Sequence, residues 1–356
     1  MDLTNEIVQR VEKWLEGKPQ NPVKLQFNPT DRCNLKCIFC WQRDNFKVNY
    51  ENELKKGRYF QLIDEAAGLN VKSVEITGGG EPLCREDVTL ALIEEVKKKN
   101  IFGSLITNGT LFNSNNVKKI VESGWDEIIF SLDSPFRETN DNLRAIPGSF
   151  DKVVRSIELF NRYKEKPKIC IHTVLCKKNY NQIPDMFKLA EKLNCKNIFF
   201  EPVVTVTIST KMAEGLKLNG KQGIELQKYI EEAKKISDKF DIENNLQSLG
   251  IDFIDKTNKM DSLIKEESND SLPICFEPFY NMIIRPSGRT GPCCMFDYSP
   301  EYLSEKSIKE IWHGEFFNQM RERLIGGKLQ NYCSKCNPSQ VVNNKLIREG
   351  LECKKK

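Results

Sequence analysis

The chain has 356 residues, enough for one large domain and a smaller one, and its 39% hydrophobic residues suffice for a sizeable core. The net charge of +4 is spread over mixed acidic and basic residues, which argues against a nucleic-acid-binding protein. No stretch is long and apolar enough to predict a membrane span. No basic segment followed by an apolar one predicts a secretory signal, which argues against a secreted protein. Thirteen cysteines in such a chain predict metal binding in the reducing cytoplasm rather than disulfides.

The first part of the chain alternates predicted strands and helices. Apolar residues near a 3.6-residue period predict a short amphipathic helix within residues 1–17. Six strands are predicted at 23–27, 73–77, 104–107, 128–132, 169–175 and 198–204. Helices are predicted between them at 88–96, 117–121, 153–160 and 186–193, with Ser149 as the cap of the third. This alternation predicts an α/β fold with a parallel sheet and right-handed crossovers, either open or curled toward a barrel.

The pattern changes after residue 205. Apolar residues from Leu226 to Phe240 predict one more helix, and the polar stretch 265–270 predicts a linker. Short strands, a turn rich in Gly and Pro at 286–292 and one helix over 308–324 follow. The predicted domains are an N-terminal helix at 1–22, a core at 23–225, a helical linker at 226–270, a small α+β auxiliary domain at 271–345 and a tail at 346–356.

Three cysteines follow the first predicted strand with the spacing C-x3-C-x2-C: Cys33, Cys37 and Cys40. Three close thiolates suit a soft, thiophilic metal centre, and iron–sulfur clusters are the commonest such guest. Three ligands on a four-iron cluster leave one iron open for substrate chemistry. A zinc loop is the alternative, but it needs a fourth ligand, and the two histidines, His172 and His313, are remote in sequence.

This motif, with Phe39 before its third cysteine, resembles the signature of the radical S-adenosylmethionine (radical SAM) superfamily. The resemblance implies a partial (β/α)6 barrel, similar to a TIM barrel, whose cysteines hold a 4Fe–4S cluster that binds SAM. It implies that one electron cleaves SAM to a 5′-deoxyadenosyl radical, which takes a hydrogen atom from a substrate. It also implies Phe39 as a SAM contact and an electron donor such as flavodoxin or ferredoxin as a partner.

The second predicted strand ends in a glycine-rich turn formed by Gly78, Gly79, Gly80 and Glu81. Glycines let the backbone approach a ligand closely, and Glu81 adds a carboxylate that could receive an ammonium group. Gly runs after strands are also plain tight turns. One βα unit after the cysteine loop, however, this turn resembles the "GGE" motif of radical SAM enzymes, which implies that it binds the methionyl amino group of SAM.

Two other strand ends carry candidate SAM contacts. Ser131 ends the fourth strand and Arg144 follows 13 residues later, and in related radical SAM enzymes a serine and an arginine so placed contact SAM. The alternative is a turn serine and a surface arginine. Asn108 lies in a Thr-Asn-Gly turn after the third strand, where it either holds the turn through its side chain or touches the ligand.

A second cysteine set lies near the carboxyl end of the chain, in the pattern C-x12-G-x4-C…C-x2-C: Cys275, Cys293, Cys333 and Cys336. From composition alone, zinc and iron–sulfur are nearly equal alternatives. Beside a radical SAM core, the pattern resembles the SPASM/Twitch extension and implies an auxiliary 4Fe–4S cluster, in the shorter one-cluster form because only Cys353 remains. Cys294 is then a spare ligand, a hydrogen-atom donor or a packing residue.

Together the two resemblances predict a radical SAM oxidoreductase that dehydrogenates a small polyhydroxylated substrate, with the auxiliary cluster accepting an electron. Only about 22 residues precede the first strand, which leaves no room for a separate leader-peptide-binding domain and favours a small substrate. A peptide- or protein-modifying maturase and a redox-neutral epimerase stay open. A non-catalytic iron–sulfur electron carrier is the alternative from another class, but a carrier has no use for an open iron.

Overall fold

The computed structural model describes residues 3–40, 42, 52–204, 210–249, 272–294, 298–329, 333, 336 and 338–353. The strands of this part are β1 (Lys24–Phe27), β2 (Ser73–Ile76), β3 (Phe102–Thr107), β4 (Glu127–Ser131), β5 (Lys168–Leu175), β6 (Asn197–Pro202), β7 (Glu243–Asn244), β8 (Asn281–Ile284) and β9 (Thr290–Gly291). Among the described residues, no helix has the length and apolar character needed to cross a membrane.

The helices surround these strands and connect most of them. They are α1 (Thr4–Leu15), α2 (Lys56–Gly68), α3 (Glu86–Lys98), α4 (Ser114–Glu122), α5 (Arg137–Arg144), α6 (Ser149–Asn161), α7 (Ile183–Lys192), α8 (Thr210–Leu216), α9 (Gly220–Phe240), α10 (Glu277–Tyr280), α11 (Ile308–Trp312), α12 (Glu315–Ile325) and α13 (Pro338–Cys353). Asn113, Asn219 and Ser307 start α4, α9 and α11 with capping boxes, because each side chain accepts from a backbone amide in the first turn.

The described strands form one open sheet in the order β7-β6-β5-β4-β3-β2-β1-β8-β9. Every neighbouring pair from β7 to β8 is parallel, and only the last pair, β8 with β9, is antiparallel. The predicted α/β fold with a parallel sheet is therefore confirmed. The carboxyl ends of β1 to β6 lie at one edge of this sheet, where ligands bind in folds of this kind.

Alternate strand residues face two environments. Leu25, Phe27 and Val74 are fully buried in the core between the sheet and its helices. The residues between them lie on the opposite face of the sheet, which is called the inner face. On this face Lys24 Nζ lies 2.8 Å from Glu75 Oε2. The side chains that follow on this inner face at the carboxyl ends of the strands are the ones available to a substrate.

The C-terminal region joins the same sheet. Strand β8 pairs in parallel with β1, with Phe27 opposite Ile284, so the auxiliary region is attached directly beside the strand that leads to the cysteine loop. Helix α9, which was predicted as part of a linker at 226–270, instead buries Leu226, Ile230 and Ala233 in the main core. Its apolar stripe requires a partner surface, and α7 supplies it. Residues 250–270 of the predicted linker lie outside the described residues.

The predicted tail at 346–356 was wrong for its first eight residues. Helix α13 continues to Cys353 and buries Ile347 and Leu351 against Val8 and Val11 of α1. Ile347 and Leu351 are four residues apart and share one helix face, but an isolated apolar pair in a polar segment is a weak signal for a packed helix. Residues 354–356 lie outside the described residues.

Two other helix predictions were wrong in detail. Ser149 is not a cap, because Gly148 takes the N-cap position with a φ of +78°, and the Ser149 hydroxyl donates to Asp141 Oδ1 at 2.8 Å. The single helix predicted over 308–324 is two helices, α11 and α12. The helix is interrupted at Gly314, where an added Cβ would lie 2.9 Å from Glu310 O.

Candidate active site

The cysteine loop leaves the carboxyl end of β1 and is held by the last turn of α5. The Lys36 amide donates to Arg144 O at 3.4 Å, and the Ile38 amide donates to Leu143 O at 2.9 Å. Those carbonyls have no partner within their own helix, so the loop satisfies them. Within the loop, Cys37 is buried, Cys40 is half-buried and Cys33 is exposed. The loop is therefore a fixed platform that presents three thiols at different depths.

The glycine-rich turn after β2 packs directly on the residues that precede Cys33. The Gly80 amide donates to Thr30 O at 3.1 Å, and the Glu81 amide donates to Arg32 O at 2.8 Å. An added Cβ at Gly80 would lie 2.0 Å from Arg32 O, and one at Gly79 would lie 1.8 Å from Asp31 Oδ1. Glycine is required here because the two backbones approach more closely than any side chain allows.

Glu81 is buried and fastens the ends of β2 and β3 together. One carboxylate oxygen, Oε1, accepts from Thr107 Oγ1 at 2.7 Å and from the Leu83 amide at 3.1 Å, and Oε2 accepts from the Asn108 amide at 2.7 Å. Burial raises the pKa of Glu81, and these hydrogen bonds oppose that shift. In this structure both oxygens are engaged by the protein, and the expected contact with an ammonium group stays a prediction.

Asn108 holds its own turn and also reaches the cysteine loop. Its Oδ1 accepts from the Thr110 amide at 3.0 Å, which is the hydrogen bond of an Asx turn. Its Nδ2 donates to Asn34 Oδ1 at 2.9 Å and lies 4.0 Å from Cys33 Sγ. The interpretation that Asn108 holds its turn is therefore confirmed, and the expected contact with the ligand stays a prediction.

Arg144 is buried beside the cysteine loop, so the alternative that it is a surface charge was wrong. Its Nε lies 2.6 Å from Asp133 Oδ2, and its Nη1 lies 3.7 Å from Cys37 Sγ. Its guanidinium carbon lies 5.3 Å from the centroid of the Phe39 ring. The sequence analysis did not single out Asp133, although an acidic residue directly after a strand and 11 residues before Arg144 was a signal available in the sequence.

Ser131 lies on the inner face at the end of β4, in register with His172 of β5. The imidazole of His172 contacts the Phe199 ring of β6, with 5.5 Å between ring centroids. Its Nε2 is buried and accepts or donates no hydrogen bond within the described residues. Burial and the nearby charge of Arg144 lower the pKa of His172 to about 4, so the imidazole is neutral at physiological pH.

Glu201 is a candidate site residue that the sequence analysis missed. It lies near the end of β6, in register with Val174 and on the same inner face as His172. It is only 7% exposed, and burial raises its pKa to about 7. Its Oε1 accepts from the Ser339 amide at 3.2 Å, in the first turn of α13. An acidic residue at the carboxyl end of a predicted strand was the signal that could have found it.

The C-terminal cysteines approach one another around a small apolar cluster. Cys293 is buried with Met320 and Leu324, and Cys275 and Cys333 pack against the same cluster. The Cys336 amide donates to Cys333 O at 3.1 Å, which closes a tight turn between the last two cysteines. The side chain of Cys294 is exposed, which disfavours a packing role, and its roles as a spare ligand or a hydrogen-atom donor stay predictions.

The donors of the two sets fit iron–sulfur chemistry, because they are thiols without an imidazole or a carboxylate among them. Within the described residues, no three Cys, His, Asp or Glu side chains converge on the position of a single metal ion. Asn108 and Arg144 lie beside Cys33 and Cys37, so polar groups that can stabilise a bound cluster are already in place around the first set.

Comparison with protein families identifies both cysteine regions. Residues 27–190 match the Radical SAM superfamily, and residues 275–337 match the SPASM iron–sulfur cluster-binding domain. The fold and the site thus define a radical SAM enzyme with an auxiliary iron–sulfur domain. The chain thus carries a radical SAM domain and a SPASM domain, and its cofactors are SAM, a 4Fe–4S cluster at the SAM site and an auxiliary iron–sulfur centre in the SPASM domain.

Curated relatives match part of the chain. Fe-coproporphyrin III synthase of Methanosarcina barkeri is 34% identical over 225 residues, which are 63% of this chain and 54% of the relative. GTP 3′,8-cyclase of Clostridium perfringens is 30% identical over 216 residues, which are 60% of this chain and 63% of the relative. The chain therefore spans less than two thirds of the length of either relative.

Solved structures share the fold over nearly the whole chain. Streptococcus suis SuiB bound to S-adenosylmethionine superposes with a TM-score of 0.67 at 19% identity, covering 90% of this chain and 70% of SuiB. The enzyme anSMEcpe with bound AdoMet superposes with a TM-score of 0.63 at 19% identity, covering 88% of this chain and 86% of that enzyme. At this identity, the likeness concerns the fold alone.

Proposed function

We propose that this protein is an oxidoreductase that converts a secondary alcohol of a small polyhydroxylated substrate to a carbonyl. When bound, SAM and the cluster held by Cys33, Cys37 and Cys40 supply the 5′-deoxyadenosyl radical that takes the carbon-bound hydrogen atom. Completing the oxidation then requires that the hydroxyl proton and one further electron leave the substrate. Cys275, Cys293, Cys333 and Cys336 would hold an auxiliary 4Fe–4S cluster that could accept this electron, and a protein base would accept the hydroxyl proton.

The observation that carries this proposal is the position of Glu201. It is the buried carboxylate at the inner, carboxyl end of β6, and its pKa of about 7 suits a proton acceptor at neutral pH. Its hydrogen bond to the Ser339 amide joins it to the helix that begins two residues after Cys336. A base for the hydroxyl proton and an acceptor for the electron of the substrate radical would thus lie in the same region of the protein.

The neighbouring groups suit hydroxyls better than charged substituents. Ser131 and the neutral imidazole of His172 lie on the same inner face and offer uncharged hydrogen-bonding groups. The names of the curated relatives describe the synthesis or cyclisation of small molecules, namely Fe-coproporphyrin III, heme and GTP. The uncharged groups on the inner face favour a hydroxyl-rich substrate, and the names of the relatives favour a small molecule over a peptide.

A peptide is the second candidate substrate. SuiB has been solved with its precursor peptide SuiA, and anSMEcpe has been solved with the Cp18Cys peptide. Both structures share the fold of this chain over 88% of its length. The same proton and electron acceptors would serve the oxidation of a serine or cysteine side chain in a peptide.

A hydrogen-transfer experiment separates these candidates. The reconstituted, reduced protein is incubated with SAM and either C-deuterated myo-inositol, C-deuterated glucose or a short peptide deuterated at serine and cysteine. Mass spectrometry then measures deuterium in the 5′-deoxyadenosine. Enrichment from a polyol supports the proposal, and enrichment from the peptide alone supports the second candidate. If 5′-deoxyadenosine forms without deuterium from any of them, the polyol proposal is wrong.

A further inference from the structure

We infer that Asp133 and Arg144 form a buried charge pair that positions Cys37 and sets the reduction potential of the cluster at the SAM site. This inference rests on the assignment of Cys37 as a cluster ligand, but it is independent of the substrate. It goes beyond the expected contact between Arg144 and SAM, because it predicts an effect on the cluster when SAM is absent.

Asp133 is held rigidly from several directions. It is fully buried, its Oδ1 accepts from the Val174 amide at 2.9 Å, and its own amide donates to Asn140 Oδ1 at 3.0 Å. Its carbonyl oxygen accepts from Asn179 Nδ2 at 2.7 Å. Because the backbone and one oxygen are fixed, the remaining oxygen, Oδ2, is held in one position, 2.6 Å from Arg144 Nε, where the contact is an ion pair without hydrogen-bond geometry. Asp133 therefore holds the guanidinium group in place through its charge.

Arg144 transmits this position to the cysteine loop. Its Nη1 lies 3.7 Å from Cys37 Sγ, and its guanidinium group lies over the ring of Phe39. Its backbone carbonyl accepts from the Lys36 amide, and α5 ends immediately afterwards because Ala145 is left-handed with a φ of +56°. Side-chain and backbone contacts of one residue thus hold the segment on both sides of Cys37.

The two charges act on the cluster with opposite signs. Reduction adds one negative charge to a 4Fe–4S cluster, so a nearby cation stabilises the reduced form and a nearby anion destabilises it. Arg144 is 7% exposed and Asp133 is fully buried, so salt in the solvent screens neither charge effectively. Glu81 and the neutral His172 also interact with the guanidinium charge, but neither forms an ion pair with it.

The test is a redox titration of the reconstituted enzyme without SAM, followed by electron paramagnetic resonance. The signal of the SAM-site cluster is identified as the one that changes when SAM is added. The replacement Asp133→Asn keeps the shape and removes the anion, so we expect a higher midpoint potential. The replacement Arg144→Gln removes the cation, so we expect a lower one. The matched controls are Asp151→Asn and Arg137→Gln. They break an exposed ion pair whose arginine lies on α5, the helix of Arg144, and they should leave the potential unchanged.

The double replacement Asp133→Asn with Arg144→Gln leaves no buried unpaired charge and should restore a potential near that of the wild type. It also keeps the inference testable if the Arg144 replacement alone does not fold. If Asp133→Asn keeps the wild-type potential, Asp133 has no effect on the cluster and the inference is overturned, even though the double variant then also has the wild-type value. An Arg144→Gln variant that binds SAM more weakly but keeps the wild-type potential would also overturn it, since Arg144 would then act on SAM alone.

Discussion

Glu201 Oε1 accepts a hydrogen bond from the backbone amide of Ser339 at 3.2 Å, which joins the end of β6 to the start of α13. The two residues are 138 positions apart, and Ser339 lies in the first turn of the helix that follows Cys333 and Cys336. This bond therefore connects the inner face of the sheet to the segment that carries Cys336. The proposed oxidation depends on this connection, because it brings a proton acceptor to the region where an electron would leave.

We predict that Glu201→Gln separates the two roles of this side chain. The glutamine oxygen can still accept from Ser339, but the amide cannot take up a proton at neutral pH. With C-deuterated myo-inositol or glucose, this variant should still form 5′-deoxyadenosine, while the carbonyl product falls by about 100-fold or more, the scale of general base catalysis. The measurement is the ratio of trapped carbonyl to 5′-deoxyadenosine. An unchanged ratio would mean that Glu201 only holds α13 in place.

The same replacement has a predicted effect on stability that needs no substrate. Burial raises the pKa of Glu201 to about 7 from an ordinary 4.5, so the protonated form is favoured in the folded state. The resulting stabilisation is complete below pH 4.5 and is lost as the pH rises through 7, a change of about 3 kcal/mol in the free energy of unfolding. Urea unfolding of Glu201→Gln should lack this loss. Parallel pH profiles for the variant and the wild type would contradict it, and Asp151→Asn serves as an exposed control.

The sequence predicted the elements that depend on local patterns. Alternating apolar residues predicted the six strands β1 to β6, and the spacing of Cys33, Cys37 and Cys40 predicted the cysteine loop, because both signals lie within a few neighbouring residues. The pairing of β8 with β1 could not be predicted in this way. It joins segments more than 250 residues apart, and their short apolar stretches do not specify a partner.

The partners of the site residues were also beyond the sequence. Arg144 was a candidate from its position, but its buried ion pair with Asp133 depends on how α5 folds back onto the end of β4. Glu81 was expected to meet a ligand, and its hydrogen bonds to the β3 turn follow from the sheet order, which brings β2 and β3 side by side. Function-bearing contacts of this kind require the tertiary structure.

The close approach at Gly80 predicts a local effect on the SAM-site cluster. In Gly80→Ala the new Cβ would lie 2.0 Å from Arg32 O, so the residues before Cys33 must move. We expect this variant to lose most of the SAM-site iron while it retains the auxiliary iron. Gly57→Ala is the matched control, because nothing lies within 4 Å of its added Cβ. Iron analysis and SAM binding by calorimetry check the result, and a Gly80→Ala protein with full iron content would contradict it.

Cluster content itself gives another prediction. With one 4Fe–4S cluster at each cysteine set, the reconstituted protein should contain about eight irons per chain. Replacing Cys33, Cys37 and Cys40 together by Ala should leave about four and abolish formation of 5′-deoxyadenosine. Metal analysis should find no zinc in either protein. Stoichiometric zinc in the triple variant would show that the C-terminal cysteines do not hold an auxiliary cluster.

The most direct test of the proposed oxidation is the ratio of carbonyl product to 5′-deoxyadenosine, in the wild type and in a variant with both Cys333→Ala and Cys336→Ala. The variant must first be shown to fold and to bind SAM, because cluster loss also affects folding in such sites. The account predicts one carbonyl per 5′-deoxyadenosine in the wild type, and 5′-deoxyadenosine without carbonyl in the variant. An undiminished ratio in the variant would contradict it, since the auxiliary centre would then be structural and would accept no electron from the substrate.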